Sequence, residues 1–210
     1  MAITTIDELV NALGNNSSRV VIDKASLSNA AVGQVHSLWR ATGQTGQGAI
    51  PTAVANCNNS LTGGMQFTQQ TSPATTYAAY LEAVCSNSAV TLELHDRLRH
   101  FGGLVGNVAT AQTVSLDLDG VTADNMVARR GDSNYSDCQW WLEWYTDTGA
   151  TAATATVAVT YNDGTTGSLT GISLAATRRA SFLQPLNGLI PAAAAGQFIR
   201  AVNTVTLSVS

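Results

Sequence analysis

The stretch Gln139 to Tyr145, "QWWLEWY", constrains this chain more than any other, because it holds three of the four tryptophans within five positions. Successive side chains on a β-strand point to opposite faces. Trp140, Leu142 and Trp144 then line one face, and Trp141, Glu143 and Tyr145 the other. A strand with one solvated face is polar on that side. A strand that is aromatic on both faces has to be covered twice. A long loop such as Ala41 to Ala53 or a helix at the N-terminus is the preferred second cover, and another subunit is the alternative. Glu143 on that second face must pair with an arginine or stand at the rim of the patch, since a carboxylate among rings is costly without a partner.

The rest of the chain is punctuated as an all-β protein. "QTVSLDLDG" alternates through Val114, Leu116 and Leu118 into the turn signal Asp119-Gly120. "TATVAVTYNDGTTGSLTGISL" is the strongest hairpin signal, with Val157, Val159 and Tyr161 on one face and Asn162-Asp163-Gly164 accepting positive φ at the turn. "FIRAVNTVTLSVS" ends on an alternating strand through Val205, Leu207 and Val209. "RVVID" (19–23), "QVHSLWRA" (34–41), "GMQFT" (64–68) and "AVTLELHDRL" (89–98) also read as strands. Residues 77–84 fit either a helix or a strand, and the strand is preferred. Ala41 to Ala53 and Leu189 to Gln197 read as loops. One helix is expected near the start: Thr5-Ile6-Asp7-Glu8 fits a capping box, Ile6, Leu9, Val10 and Leu13 share one stripe, and Gly14 is a stop. The expected fold is a single antiparallel β-sandwich, jelly-roll-like, over residues 19–210, preceded by an N-terminal helix or arm over residues 1–18.

Reactive chemistry finds no foothold in the motifs. "GQTGQG" (43–48) is glycine-rich but lacks the spacing of a phosphate-cradling loop. His95 and His100 fall on opposite faces of a strand, which makes a poor metal pair. There is no G-x-S-x-G elbow, and the carboxylates Glu82, Glu93 and Glu143 are unspecific as a hydrolase pair. "DLDG" (117–120) starts like a calcium loop but is not continued as one. "RGD" (130–132) reads as part of a polar loop leading into the tryptophan strand. Neither a catalytic residue, a metal ligand nor a cofactor is expected. Cys57, Cys85 and Cys138 read as three buried thiols made in a reducing compartment.

Charge narrows the partners. Only 11% of the residues are charged, against about a quarter in ordinary soluble domains, while 45% are apolar. The net charge of −4 does not suit nucleic acid, whose phosphates call for a dense basic face. "MAITTIDELV" has acidic residues where a signal peptide is apolar, and no run is long enough for a membrane helix. A folded chain so poor in charge is expected to hold much of its surface against other protein. The stripe of Ile6, Leu9, Val10 and Leu13, with Trp141 and Tyr145 on the second face of the aromatic strand, are the candidate interaction residues. A sugar-binding platform of Trp140, Trp141, Trp144 and Tyr145 is the alternative use of the rings.

Four blocks carry a likeness to a known family: "DKASLSNAAVGQVHSLWRATGQTGQGAIPTA" (23–53), "HDRLRHFGGLVGNVATAQTV" (95–114), "DSNYSDCQWWLEWYTDTGATA" (132–152) and "SLAATRRA" (173–180). From about Asp23 to its end the chain resembles a family of tailed-bacteriophage virion proteins. The resemblance implies a structural subunit, foremost a head decoration or cement protein. It would attach to the major capsid protein and to copies of itself on the capsid surface, after synthesis in the host cytoplasm. A tail- or fibre-associated module that binds host glycans is the second expectation, and an enzyme the third.

Overall fold

A computed structural model describes residues 4–11, 14, 20–25, 31–68, 76, 78, 80–86 and 90–208. Its longest elements lie in the second half of the chain. Strands β6 (Gln112–Asp117), β8 (Ala153–Tyr161), β9 (Thr166–Leu174) and β11 (Ile199–Leu207) form an antiparallel sheet in the order β6-β11-β8-β9. The β8–β9 hairpin turns at Gly164, whose φ of 87° only glycine adopts without strain. Asp163 Oδ1 accepts hydrogen bonds from the Thr165 amide at 2.9 Å and its hydroxyl at 2.7 Å, which closes the turn.

One face of this sheet is the core. Val157, Val159, Tyr161, Leu169, Ile172, Ile199, Val202 and Val205 are buried there. Met126, Tyr135, Trp140 and Leu186 pack onto the same cluster. Each fully buried aliphatic side chain contributes roughly 1.5–3 kcal/mol by leaving water. The strict alternation of β8 follows from having one such face. In β11 it is interrupted: Ala201 and Val202 are adjacent and both buried, because the register with β6 and β8 shifts between Val202 and Thr204.

A second sheet joins β2 (Val35–His36), β10 (Phe182–Pro185) and β7 (Trp141–Glu143) in the order β2-β10-β7. Two smaller pairs complete the first half of the chain, β1 (Asp23–Lys24) with β3 (Gly43–Gln44) and β4 (Ala55–Asn56) with β5 (Arg99–His100). The all-β class and the antiparallel pairing are as the sequence indicates.

The first half departs from its pattern. Of the described residues 20–23 only Asp23 enters a ladder, residues 64–68 form no strand, and of 34–41 only Val35 and His36 pair. Among the described residues of 77–84 and 90–98, neither helix nor strand forms. Alternation makes a strand possible, but a ladder needs a neighbouring strand; among the described residues of these segments only Leu98 meets one, its carbonyl accepting from the Cys57 amide at 2.9 Å beside the β4–β5 pair. Of the polar stretch before β7, Met126–Arg129 forms a short helix. The helix α1 (Ile6–Asn11) is present with its capping box: Thr5 N–H donates to Glu8 Oε2 at 3.0 Å, and Glu8 N–H to Thr5 Oγ1 at 3.2 Å. No residue of α1 is buried. Leu13 and Val209 lie outside the described residues. Cys57 and Cys138 are buried, whereas Cys85 is exposed, as are the described residues 80–86 around it.

Candidate functional site

The second face of the aromatic strand is covered by the loop that follows β2. Trp39 is buried under it, with its ring 6.1 Å from Tyr145 and 5.1 Å edge-on from His100. The glycine-rich stretch holds this indole in place. Gly48 N–H donates to the Trp39 carbonyl at 2.9 Å, and Trp39 Nε1–H to the Thr62 carbonyl at 3.0 Å. A Cβ at Gly48 would stand 2.0 Å from the ring, and one at Gly63 2.6 Å from it. Glycine is needed at both places for the backbone to approach so closely. Lys24, the only lysine, is used within the same loop: its ammonium donates to the carbonyls of Ala41, Thr45 and Gly46 at 3.2, 2.6 and 3.0 Å.

Glu143 lies inside this layer, its side chain only 8% exposed, and Arg97 is its partner, with Nη1 donating to Oε2 at 2.8 Å. The Arg97 guanidinium stacks 4.5 Å from the Trp39 ring and donates to Ser37 Oγ at 3.3 Å. Burial opposes the charge on Arg97, but the Glu143 carboxylate and its hydrogen bond outweigh that and raise the pKa above the ordinary value. The same charge and burial act on the neighbours. Burial, with repulsion from Arg97, pulls His100 down to about 4, so the ring is neutral. Burial pushes the Cys57 thiol up to about 11, and burial with the Glu143 charge pushes Tyr145 up to about 12. Burial keeps His100, Cys57 and Tyr145 in their neutral forms, whereas Arg97 keeps its charge against Glu143, as in a packed internal layer around one ion pair.

The other face joins the core. Trp140 Nε1–H donates to the Ile199 carbonyl at 2.8 Å, and Leu142 packs on the same cluster. Trp144 lies edge-on to Phe182 at 5.2 Å. Trp141 is half-buried, with its ring 6.4 Å from His95, which pairs with Glu93 at 2.9 Å. In the "RGD" segment, Arg130 is turned inward onto the Tyr135 ring at 4.8 Å and donates to the Leu118 carbonyl and the Tyr135 hydroxyl.

Beyond this layer the surface is apolar. Tyr80, Leu81 and Val84 are exposed, Val84 by 88%, as are Val90, Leu92 and Leu94 on the alternating segment after them. An open trough is walled by Tyr80, Leu92 and Leu94 together with Trp141, Tyr145 and, from α1, Leu9. Leu9, Trp141 and Tyr145, three of the six sequence-nominated residues, each border this broad space, whose walls extend over much of the described chain. Ile6 and Val10 are exposed on α1, by 78% and 62%, and are not among its walls; Leu13 lies outside the described residues. Sequence reasoning missed Trp39, Arg97 and Ser37. The run of close glycines after Trp39 was the one available signal for its burial, and nothing distinguished Arg97 among nine arginines.

No helix among the described residues is long and apolar enough to cross a membrane. No family model, curated protein or solved structure matches the chain.

Proposed function

We propose that this chain is a structural subunit of a bacteriophage virion, a decoration or cement protein bound to the major capsid protein and to copies of itself on the capsid surface. The observation that carries the reading is the placement of the exposed apolar side chains. Tyr80, Leu81, Val84, Val90, Leu92 and Leu94 stand in water along a segment whose alternation is that of a half-buried strand. Such a segment is stabilised when a partner covers it. Few charges oppose that covering: in residues 76–94 the charged side chains are Glu82 and Glu93. In this reading the four-stranded and three-stranded sheets are the two layers of a jelly-roll-like sandwich, and the arm over residues 1–18 lies on the shell.

The glycan-binding alternative needs free ring faces, and the tryptophans are largely occupied with the core, Phe182 and Arg97. Contacts of roughly 800 Å² per partner suffice for stable association, and a repeated lattice adds avidity. The test is occupancy. Purified chain added to heads assembled without it binds at a copy number set by the head lattice, and the triple variant V90S/L92S/L94S loses that binding while staying folded. Equal occupancy of the variant, or attachment to tails alone, overturns the reading.

A further inference from the structure

A second, polar cleft is bordered by the loop that buries Trp39. It is about 300 Å³ in volume, and its walls include Arg40, Thr42 and Gln47 from the loop, and Tyr145, Asp147 and Arg179 from the aromatic strand's end and the segment before β10. The chain has ten basic side chains in all, and two of them, Arg40 and Arg179, line this cleft. A third, Lys24, braces the loop that forms its wall. Asp147 is the one carboxylate in the lining. It is already engaged: Oδ2 accepts from Arg179 Nη1 at 2.5 Å and Oδ1 from the Ala180 amide at 2.8 Å.

Arg40 differs from Arg179. Its Nη1 donates to the Gly48 carbonyl, its Nε is buried without a hydrogen-bond partner, and among the described residues it enters no ion pair. Among the described residues no protein carboxylate pairs with this guanidinium, so an anion entering the cleft can add a charge-assisted hydrogen bond that water otherwise supplies more weakly. The lining carries two cations and one anion, a net charge of +1, so a monovalent anion neutralises it and a divalent one does not. The planar fork of a guanidinium matches carboxylate and phosphate alike, so the charge balance is what favours a carboxylate.

We propose that this cleft is a carboxylate-binding site centred on Arg40 and Arg179, filled in the assembly by an aspartate or glutamate side chain of a neighbouring subunit. The origin of the carboxylate in a neighbour rests on the assembly reading above; the affinity for a carboxylate does not.

The isolated full-length chain tests the site without any phage particle. Sodium acetate, titrated at constant ionic strength, shifts the Arg40 and Arg179 side-chain Nε–Hε resonances saturably, and phosphate at the same ionic strength shifts them less. Arg179→Gln, on the exposed rim, weakens acetate binding at least about tenfold, in line with the loss of one charge-assisted contact. Asp147→Asn raises the lining to +2 and tightens it, a change of sign that loss of structure does not produce. Arg40→Gln abolishes binding, and Arg40→Lys restores part of it. Unshifted resonances, equal binding by R179Q, or a stronger response to phosphate overturns the site. On assembled heads R179Q lowers occupancy; unchanged occupancy with acetate binding intact overturns the neighbouring subunit as the source.

Discussion

Residues 112–207 and residues 20–106 place their apolar side chains in opposite ways. Among the described residues, the buried apolar side chains that precede Val114 are Trp39, Ala41 and Cys57. The exposed large apolar side chains show the reverse: all but Val127 and Leu189 lie at or before Val105. The second half therefore has a hairpin of two nine-residue strands and a nine-residue closing strand around its own core. The first half contributes two-residue strand pieces and one buried indole. The difference teaches that one half holds the fold and the other presents surface. Truncating equal side chains in the two halves measures that division directly. Leu169→Ala, at a fully buried position, costs about 3–5 kcal/mol in urea unfolding of the isolated chain. Leu81→Ala, at a position 58% exposed, costs less than about 0.5 kcal/mol. A large loss at Leu81 would break the comparison.

The Arg97–Glu143 pair joins the halves, so cutting it asks whether the first half depends on the second. Glu143→Gln leaves a largely buried guanidinium without its carboxylate, and stability falls by about 3 kcal/mol. The double variant R97M/E143L removes both charges and recovers most of that loss. Failure of the double variant to recover would mean that the hydrogen bond to Ser37 and the stacking on Trp39 matter more than the charge.

Acid probes the same junction. The folded pKa of His100 is about 4 against an ordinary 6.5. Its contribution is fully present above pH 6.5 and is lost as pH falls from there through 4, because the unfolded chain then takes up a proton that the folded ring refuses. The gap amounts to about 3 kcal/mol at most. His100→Gln flattens this limb of the stability profile. Alkali acts through Cys57 with the opposite sense: its thiol is held neutral up to about pH 11, and stability falls as pH rises through the ordinary value of 9.0 toward it. Cys57→Ala removes that second limb.

What was legible in the sequence divides along the same line. The strands around Val114, Val157 and Val205 could be read because their partners belong to the same chain and the turn Asn162-Asp163-Gly164 sets the register. The demand for a second cover over "QWWLEWY" was legible too, and an arginine was one of two placements read for Glu143, the rim of the patch being the other. That Trp39, Arg97 and His100 would supply that layer was not, since each comes from a separate segment and contact between them depends on tertiary packing. Alternation at Val90, Leu92 and Leu94 was read as a strand, whereas here it marks side chains without a covering partner. A period of two states that one face is to be buried; it does not say that the burying surface belongs to the same molecule.

That last distinction yields a small effect on stability and the largest on assembly. In the isolated chain, V90S/L92S/L94S removes apolar groups that are about half exposed, so the unfolding free energy changes by no more than the summed spread of three surface substitutions, about 1.5 kcal/mol. The three serines also lower the attraction of this surface for any partner by most of the roughly 25 cal/mol per Å² that burial supplies. Sedimentation of the isolated chain at rising concentration separates the occupants. If copies of the chain cover the segment, self-association of the parent weakens in the variant. If the shell covers it, self-association is unchanged and only retention on heads falls. A variant that unfolds would show that residues 90–94 belong to the core of their own molecule, and the division between the two halves would fail.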